Sequence, residues 1–168
     1  MKEYRYRADA PYPKPIELPV NPRYARILMS DYSGNVSELT AINQYIYHHL
    51  EFGRLNTGIA KCLRSIAMVE MHHLELLGEC IIRLGVAPRY YSETANRLRY
   101  WNAGFVRYGR KPREMLEMDL RAERGSIRGY EQTMRRIEHP GIVRLIKRII
   151  EDEKLHAGIL EDLLSRVH

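Results

Sequence analysis

Two stretches of this chain, Glu70-Met71-His72-His73 and Glu153-Lys154-Leu155-His156, repeat the pattern Glu-x-x-His. In a helix, side chains three residues apart sit roughly 60° from each other on one face, about one turn along the axis, so such a carboxylate and imidazole reach a common ion. Glu38 and Glu123 supply one further carboxylate each. Both are set among apolar or small neighbours, Val36, Leu39 and Ile42 in one case and Leu120, Ala122 and Ile127 in the other, which predicts inward placement. The spacing is duplicated: Glu38 to Glu123 is an offset of 85 residues, while Glu70 to Glu153 and His73 to His156 are both offsets of 83. A tyrosine follows the first glutamate of each half by seven residues, Tyr45 and Tyr130. Each half therefore offers Glu, Tyr, Glu and His, and the two halves can face each other across a pseudo-twofold axis.

Charge explains why these residue types suit one another. Four carboxylates balance two divalent cations, so a loaded cluster is neutral and tolerable in a dry interior, whereas an empty one repels itself. Carboxylate with imidazole suits iron or manganese. Glu38, Glu70, His73, Glu123, Glu153 and His156 are thus the predicted ligands of two iron or two manganese ions. Two such ions side by side can each exchange one electron with bound O2 or H2O2, which makes these the expected substrates and the four glutamates the expected catalytic groups. The sequence does not name an electron donor.

Helices must carry these residues at one level of a bundle. Asn21 followed by Pro22 is a start signal, and the first helix is expected from Pro22 to Phe52, kinked at Gly34 and stopped by Gly53. That puts Glu38 in mid-helix. A second helix is expected to follow Asn56 and run to Leu84, ending at Gly85. Pro112 opens a third, with Met115, Leu116, Leu120 and Ile127 on one face, to about Ile137. Pro140 opens a fourth, with Ile142, Leu145, Ile146, Ile149, Ile150, Leu155, Ile159 and Leu163, to about Val167. The short loops between first and second and between third and fourth force antiparallel hairpins. Val86 to Lys111, with Tyr90, Tyr91, Tyr100, Trp101, Phe105 and Tyr108, is long enough to cross the bundle, its aromatics packing on the helices and one short helix forming around Thr94 to Trp101. Pro11, Pro13, Pro15 and Pro19 rule out a regular helix and predict an extended strap over residues 1–20, ahead of an all-α four-helix bundle over 21–168.

The 168 residues fit one domain. A net charge of +6 is spread along the chain without a dense basic cluster, which points to solvated helix faces rather than nucleic acid. No apolar run approaches a membrane span, and the N-terminus lacks the apolar middle of a secretory signal, so a cytoplasmic protein is expected. Cys62 and Cys80 fall on one helix, about 27 Å apart at the standard rise, and are expected to be free thiols.

With Glu in the first helix, Glu-x-x-His in the second, Glu in the third and Glu-x-x-His in the fourth, the chain resembles the ferritin-like di-metal carboxylate superfamily from Asn21 onward. NPRYARILMSDYSGNVSELTAINQY and EMHHLELL look most like manganese-catalase and rubrerythrin-type members, and EMHH also resembles bacterioferritin. The resemblance implies peroxidase, catalase or ferroxidase chemistry in oxidative-stress or metal handling, in a homo-oligomer. It implies too that Tyr45 and Tyr130 orient ligand carboxylates by hydrogen bonds. An iron-storage cage, or a coat protein with incidental metal, are the alternatives. Met71 stands where bacterioferritin has its haem-ligating methionine, but packing is the expected role and haem is not. No Cys-x-x-Cys is present, and Ser126 occupies the place of the extra glutamate of rubrerythrins. His49 is expected in core or surface, and His48, His72, His139 and His168 facing solvent or capping. Asp119 and Glu151 are expected to point away from the ligand glutamates.

Overall fold

The computed structural model describes residues 3–14, 17–94 and 97–167, so Pro15 and His168 lie outside the described residues. Helix α1 (Pro22–Ser33) starts where expected, with the Asn21 side chain accepting the Tyr24 N–H and proline at the first position. The long first helix is in fact two. Gly34 N–H closes α1 on Ser30 O at 3.0 Å, and a Cβ on Gly34 would stand only 2.5 Å from that oxygen, so only glycine fits. Ser37 then opens α2 (Glu38–Gly53): its hydroxyl donates to Gly34 O at 2.8 Å and accepts from Thr40 N. Glu38 is therefore the first residue of a helix rather than a mid-helix position, and its charge meets the positive end of the α2 dipole.

Helix α3 (Thr57–Arg83) follows the Asn56 cap and ends before Gly85, whose φ of 87° favours glycine. Helices α4 (Pro112–Met134) and α5 (Pro140–Leu164) begin at the expected prolines but stop about three residues short of the expected ends, in turns such as Arg136 N–H to Thr133 O. The crossover holds no helix around Thr94 to Trp101. Instead β1 (Tyr91–Thr94) and β2 (Arg97–Tyr100) pair antiparallel, with Tyr91 opposite Tyr100 and their rings 6.1 Å apart edge to face. The segment lacks a 3.6-residue apolar stripe to hold a helix down, while tyrosine and threonine favour the pleat. A 3-10 turn (Ala103–Phe105) follows. Phe105 is buried and Trp101 donates its indole N–H to Thr40, while Tyr90 and Tyr108 meet Tyr32 of α1 and Tyr47 of α2 with their outer faces exposed, and Tyr100 stays exposed on β2.

The result is the expected four-helix bundle, α1 and α2 together forming one arm, built from two antiparallel hairpins and a long crossover. Among the described residues its core has two apolar clusters. One joins α1 to the later part of α3 and the earlier part of α5 through Leu28, Leu77, Ile81 and Ile146. The other joins α2, α4 and the opposite ends of α3 and α5 through Phe52, Leu63, Met115 and Leu160. Between them lies a layer of buried polar side chains. Residues 3–14 form neither helix nor strand and lie on α3 and α5, where Tyr6 meets Cys62 at 3.1 Å and Ala8 N–H donates to Asp152 at 2.7 Å. Cys62 and Cys80 are free and buried. Among the described residues no helix is long and apolar enough to cross a membrane.

Candidate metal centre

The buried layer brings together all six residues singled out by spacing, each at most 3% exposed. Glu70 lies between the two histidines: its Oε1 is 2.9 Å from His156 Nδ1 and its Oε2 is 2.9 Å from His73 Nδ1. Glu153 Oε1 is 3.2 Å from His73 Nδ1. Glu38 Oε2 approaches the same nitrogen at 3.8 Å, and Glu123 Oε2 approaches His156 Nδ1 at 3.8 Å. Ligand atoms of Glu38, Glu70, His73 and Glu153 fall within 4.8 Å of one another, and so do those of Glu70, Glu123, Glu153 and His156. Glu70 and Glu153 belong to both groups. Tyr45 of the first hairpin donates to Glu123 of the second, and Tyr130 of the second donates to Glu38 of the first.

The donor set fits cations. Glu70 Oε1, Glu123 Oε2, Glu153 Oε1 and His156 Nδ1 are buried yet make no hydrogen bond, which is costly unless something positive lies between them. The outer nitrogens agree. His156 Nε2 lies 2.9 Å from the Tyr6 carbonyl oxygen, which can only accept, so the proton sits on Nε2 and a neutral ring turns the Nδ1 lone pair inward. Without metal, protons take up the charge. Burial, with the Glu70 charge second, pushes Glu38 up to about 8, and burial with the Glu70 and Glu123 charges holds Glu153 well above the carboxylate range. Burial also acts to raise Glu70, but the flanking His156 and His73 outweigh it and hold Glu70 well below. Burial acts to lower His156, yet Glu70 and Glu123 push it to about 10.

Residues 36–168 match the model of the ferritin-like domain. The chain belongs to the ferritin-like family. It is 33% identical to a bacterioferritin of Streptomyces coelicolor over 78% of this chain and 75% of that protein. The fold superimposes on KatB, a manganese catalase from Anabaena, with a TM-score of 0.82 at 22% identity, covering 99% of this chain and 80% of that one. With BfrA, a bacterioferritin of Mycobacterium tuberculosis, the TM-score is 0.71 at 28% identity, covering 86% of each chain.

Around these six residues lie others that spacing did not reveal. Asp152 accepts from His73 Nε2 at 3.1 Å and from Tyr12 at 2.5 Å, and Arg148 pairs with it at 2.7 Å. Burial acts to raise Asp152, but these contacts win and keep it ionised, well below its ordinary range. Tyr12 also lies 3.2 Å from His73 Nε2. His48 is not solvent-facing but fully buried, its Nδ1 2.8 Å from Asp119, which points inward and also accepts from Gln44 at 2.8 Å. This network holds the crossover, since Gln44 accepts from Arg107 N–H and His48 from Gly109 N–H. The other described histidines stay outside the centre: His49 lies 2.8 Å from Ala60 O, His72 is half-buried beside Glu75, and His139 occupies the α5 cap position without a capping bond. Glu151 is exposed as expected, and Met71, expected to pack, is 46% exposed.

Proposed function

We propose that this ferritin-like protein is an oxidoreductase that uses two iron or two manganese ions on H2O2 or O2. The observation that carries the reading is the membership of Glu70 and Glu153 in both ligand groups. Carboxylates shared by two positions imply two ions close enough to act on one small molecule. Glu38 and His73 would serve one position, Glu123 and His156 the other. Such a pair, when bound, supplies two electrons or two oxidising equivalents to a single O–O bond.

The chain's own residues set the conditions for that exchange. Each histidine is oriented by a bond to its Nε2, so Nδ1 stays aimed at the carboxylates. Tyr45 and Tyr130 hold Glu123 and Glu38 in place across the pseudo-twofold axis. Burial first, and the neighbouring carboxylates second, push both phenols well above their ordinary range, so they remain donors at neutral pH. The apolar clusters on either side keep water from the polar layer.

Likeness to a manganese-catalase fold over nearly the whole chain supports peroxide chemistry. Identity with bacterioferritins supports a second reading, Fe(II) oxidation with storage. Protein purified without added metal is expected to hold two iron or manganese ions per chain. Oxygen release from peroxide without a reductant would select the catalase type, and reductant-dependent peroxide loss the peroxidase type. Fe(II)-dependent O2 uptake with retained mineral in a large particle would select storage. A fully metallated sample inactive in all three assays would leave only the coat-protein role. Haem is not expected, and a Soret band in the purified protein would overturn that expectation and point to Met71 as a ligand. A homo-oligomer in the cytoplasm belongs to the same reading.

A further inference from the structure

A cleft of about 400 Å³ opens between α2, α4 and the end of the crossover. Its lining includes chain neighbours of the centre's residues. Ala41 is one helical turn beyond Glu38, Ala122 directly precedes Glu123, and Ser126 is one turn beyond it; all three line the cleft and are half-buried. Gln44, also in the lining, directly precedes Tyr45. The histidine side of the centre is covered. There Tyr6, Ala8 and Tyr12 of the N-terminal segment bond to His156, Asp152 and His73, and Arg148 ties the segment down by donating to Ala8 O and Ala10 O. Small molecules therefore find the least side-chain bulk on the α2–α4 side.

The charge at this opening has one sign. Arg107 and Arg121 line the cleft and are exposed, and no lining residue is acidic among those described. Glu117 lies 4.0 Å from Arg121 but is shared with Arg113 at 3.1 Å, so it does not cancel the pair. Cationic walls raise the local concentration of anions and lower that of cations.

We propose that this cleft is the access route to the two-metal centre, and that Arg107 and Arg121 select small neutral or anionic molecules, such as peroxide and its anion, over hydrated divalent cations. The inference rests on the proposed function and deepens it. A route of this charge suits ions that are loaded once and kept, with peroxide as the turnover substrate, rather than a steady inflow of Fe(II).

The test uses the full chain loaded with Co(II), whose visible bands report azide binding, and the metal-free chain taking up Co(II). In Ala41→Leu/Ala122→Leu, azide binding should slow at least about tenfold while cobalt content stays unchanged. In Arg107→Glu/Arg121→Glu, azide binding should weaken about tenfold and Co(II) uptake should quicken about tenfold, opposite signs through one opening. Both arginines are exposed, so this variant carries the test even if the leucine pair does not fold. Cobalt held normally with azide binding and metal uptake unchanged, or both moved in the same direction, overturns the cleft assignment alone. A chain that holds no cobalt at the six residues overturns the proposed function and the route with it.

Discussion

Alanine at Glu70 or at Glu153 should empty the whole centre, not half of it. Each carboxylate lies within reach of both ligand groups, so its loss removes a ligand from both positions and leaves like-charged or lone-pair-bearing neighbours facing each other without compensation. Metal content is expected to fall from two ions per chain to well below one, and peroxide turnover by about a thousandfold or more. Alanine at Glu38 or Glu123, which belong to one group each, should instead cost mainly one ion. Tyr45→Phe and Tyr130→Phe should keep both ions and slow turnover about tenfold, because only a hydrogen bond to a carboxylate is lost. Metal analysis beside activity separates the three classes. Equal metal loss in Glu38→Ala and Glu70→Ala would refute the shared-carboxylate arrangement.

Metal removal should destabilise the fold by an amount that grows with pH. At about a hundredfold excess over Kd each site contributes about 2.7 kcal/mol, and for a domain of this size two sites correspond to a Tm difference of about 10–20 °C. The pH trend follows from the metal-free centre. Glu38 is raised from 4.5 to about 8 and Glu153 is raised well above 4.5, so between these limits the folded state holds protons that the unfolded state has released. Stability of the metal-free protein is then present at low pH and lost as pH rises. His156, raised from 6.5 to about 10, acts in the same direction: its contribution is full below 6.5 and lost through about 10. Glu70 and Asp152, both held low, work the other way, losing their contributions in strong acid. Ions displace these protons, so the Tm gap between loaded and chelated protein should be wider at pH 8.5 than at pH 5.5. A gap that is absent, or that narrows with pH, would show that the glutamates do not share a cation site.

The convergence of six side chains was legible because it rests on helical periodicity and on a duplication that sets Glu38 against Glu123 and Glu70 with His73 against Glu153 with His156. The same duplication hides Asp152. Its counterpart 83 residues earlier is Val69, which can accept nothing from a histidine. Tyr6 and Tyr12 lie on a segment with no period to read, and their partners are 150 and 61 residues away. His48 reads as a surface residue because its hydrogen-bond partner, Asp119, comes from another helix 71 residues on. The break at Gly34 to Ser37 was visible as a glycine, but the choice between a kink and a fresh helix turns on the Ser37 hydroxyl finding Gly34 O, a contact that only the folded turn creates.

The unequal support of the two histidines makes the two halves of the centre chemically different despite their matched ligands. His73 leans on a carboxylate that its own bond, Tyr12, the Ala8 N–H and Arg148 together keep ionised, whereas His156 leans on a neutral carbonyl. The first imidazole is therefore the stronger electron donor. Occupation should be sequential: titrating the metal-free protein with Mn(II) is expected to fill the His73 position first, with affinities about tenfold or more apart. Asp152→Asn should draw the two steps together. A centre that loads in order passes through a singly occupied state, and there the repeat inherited by the sequence no longer describes a symmetric object.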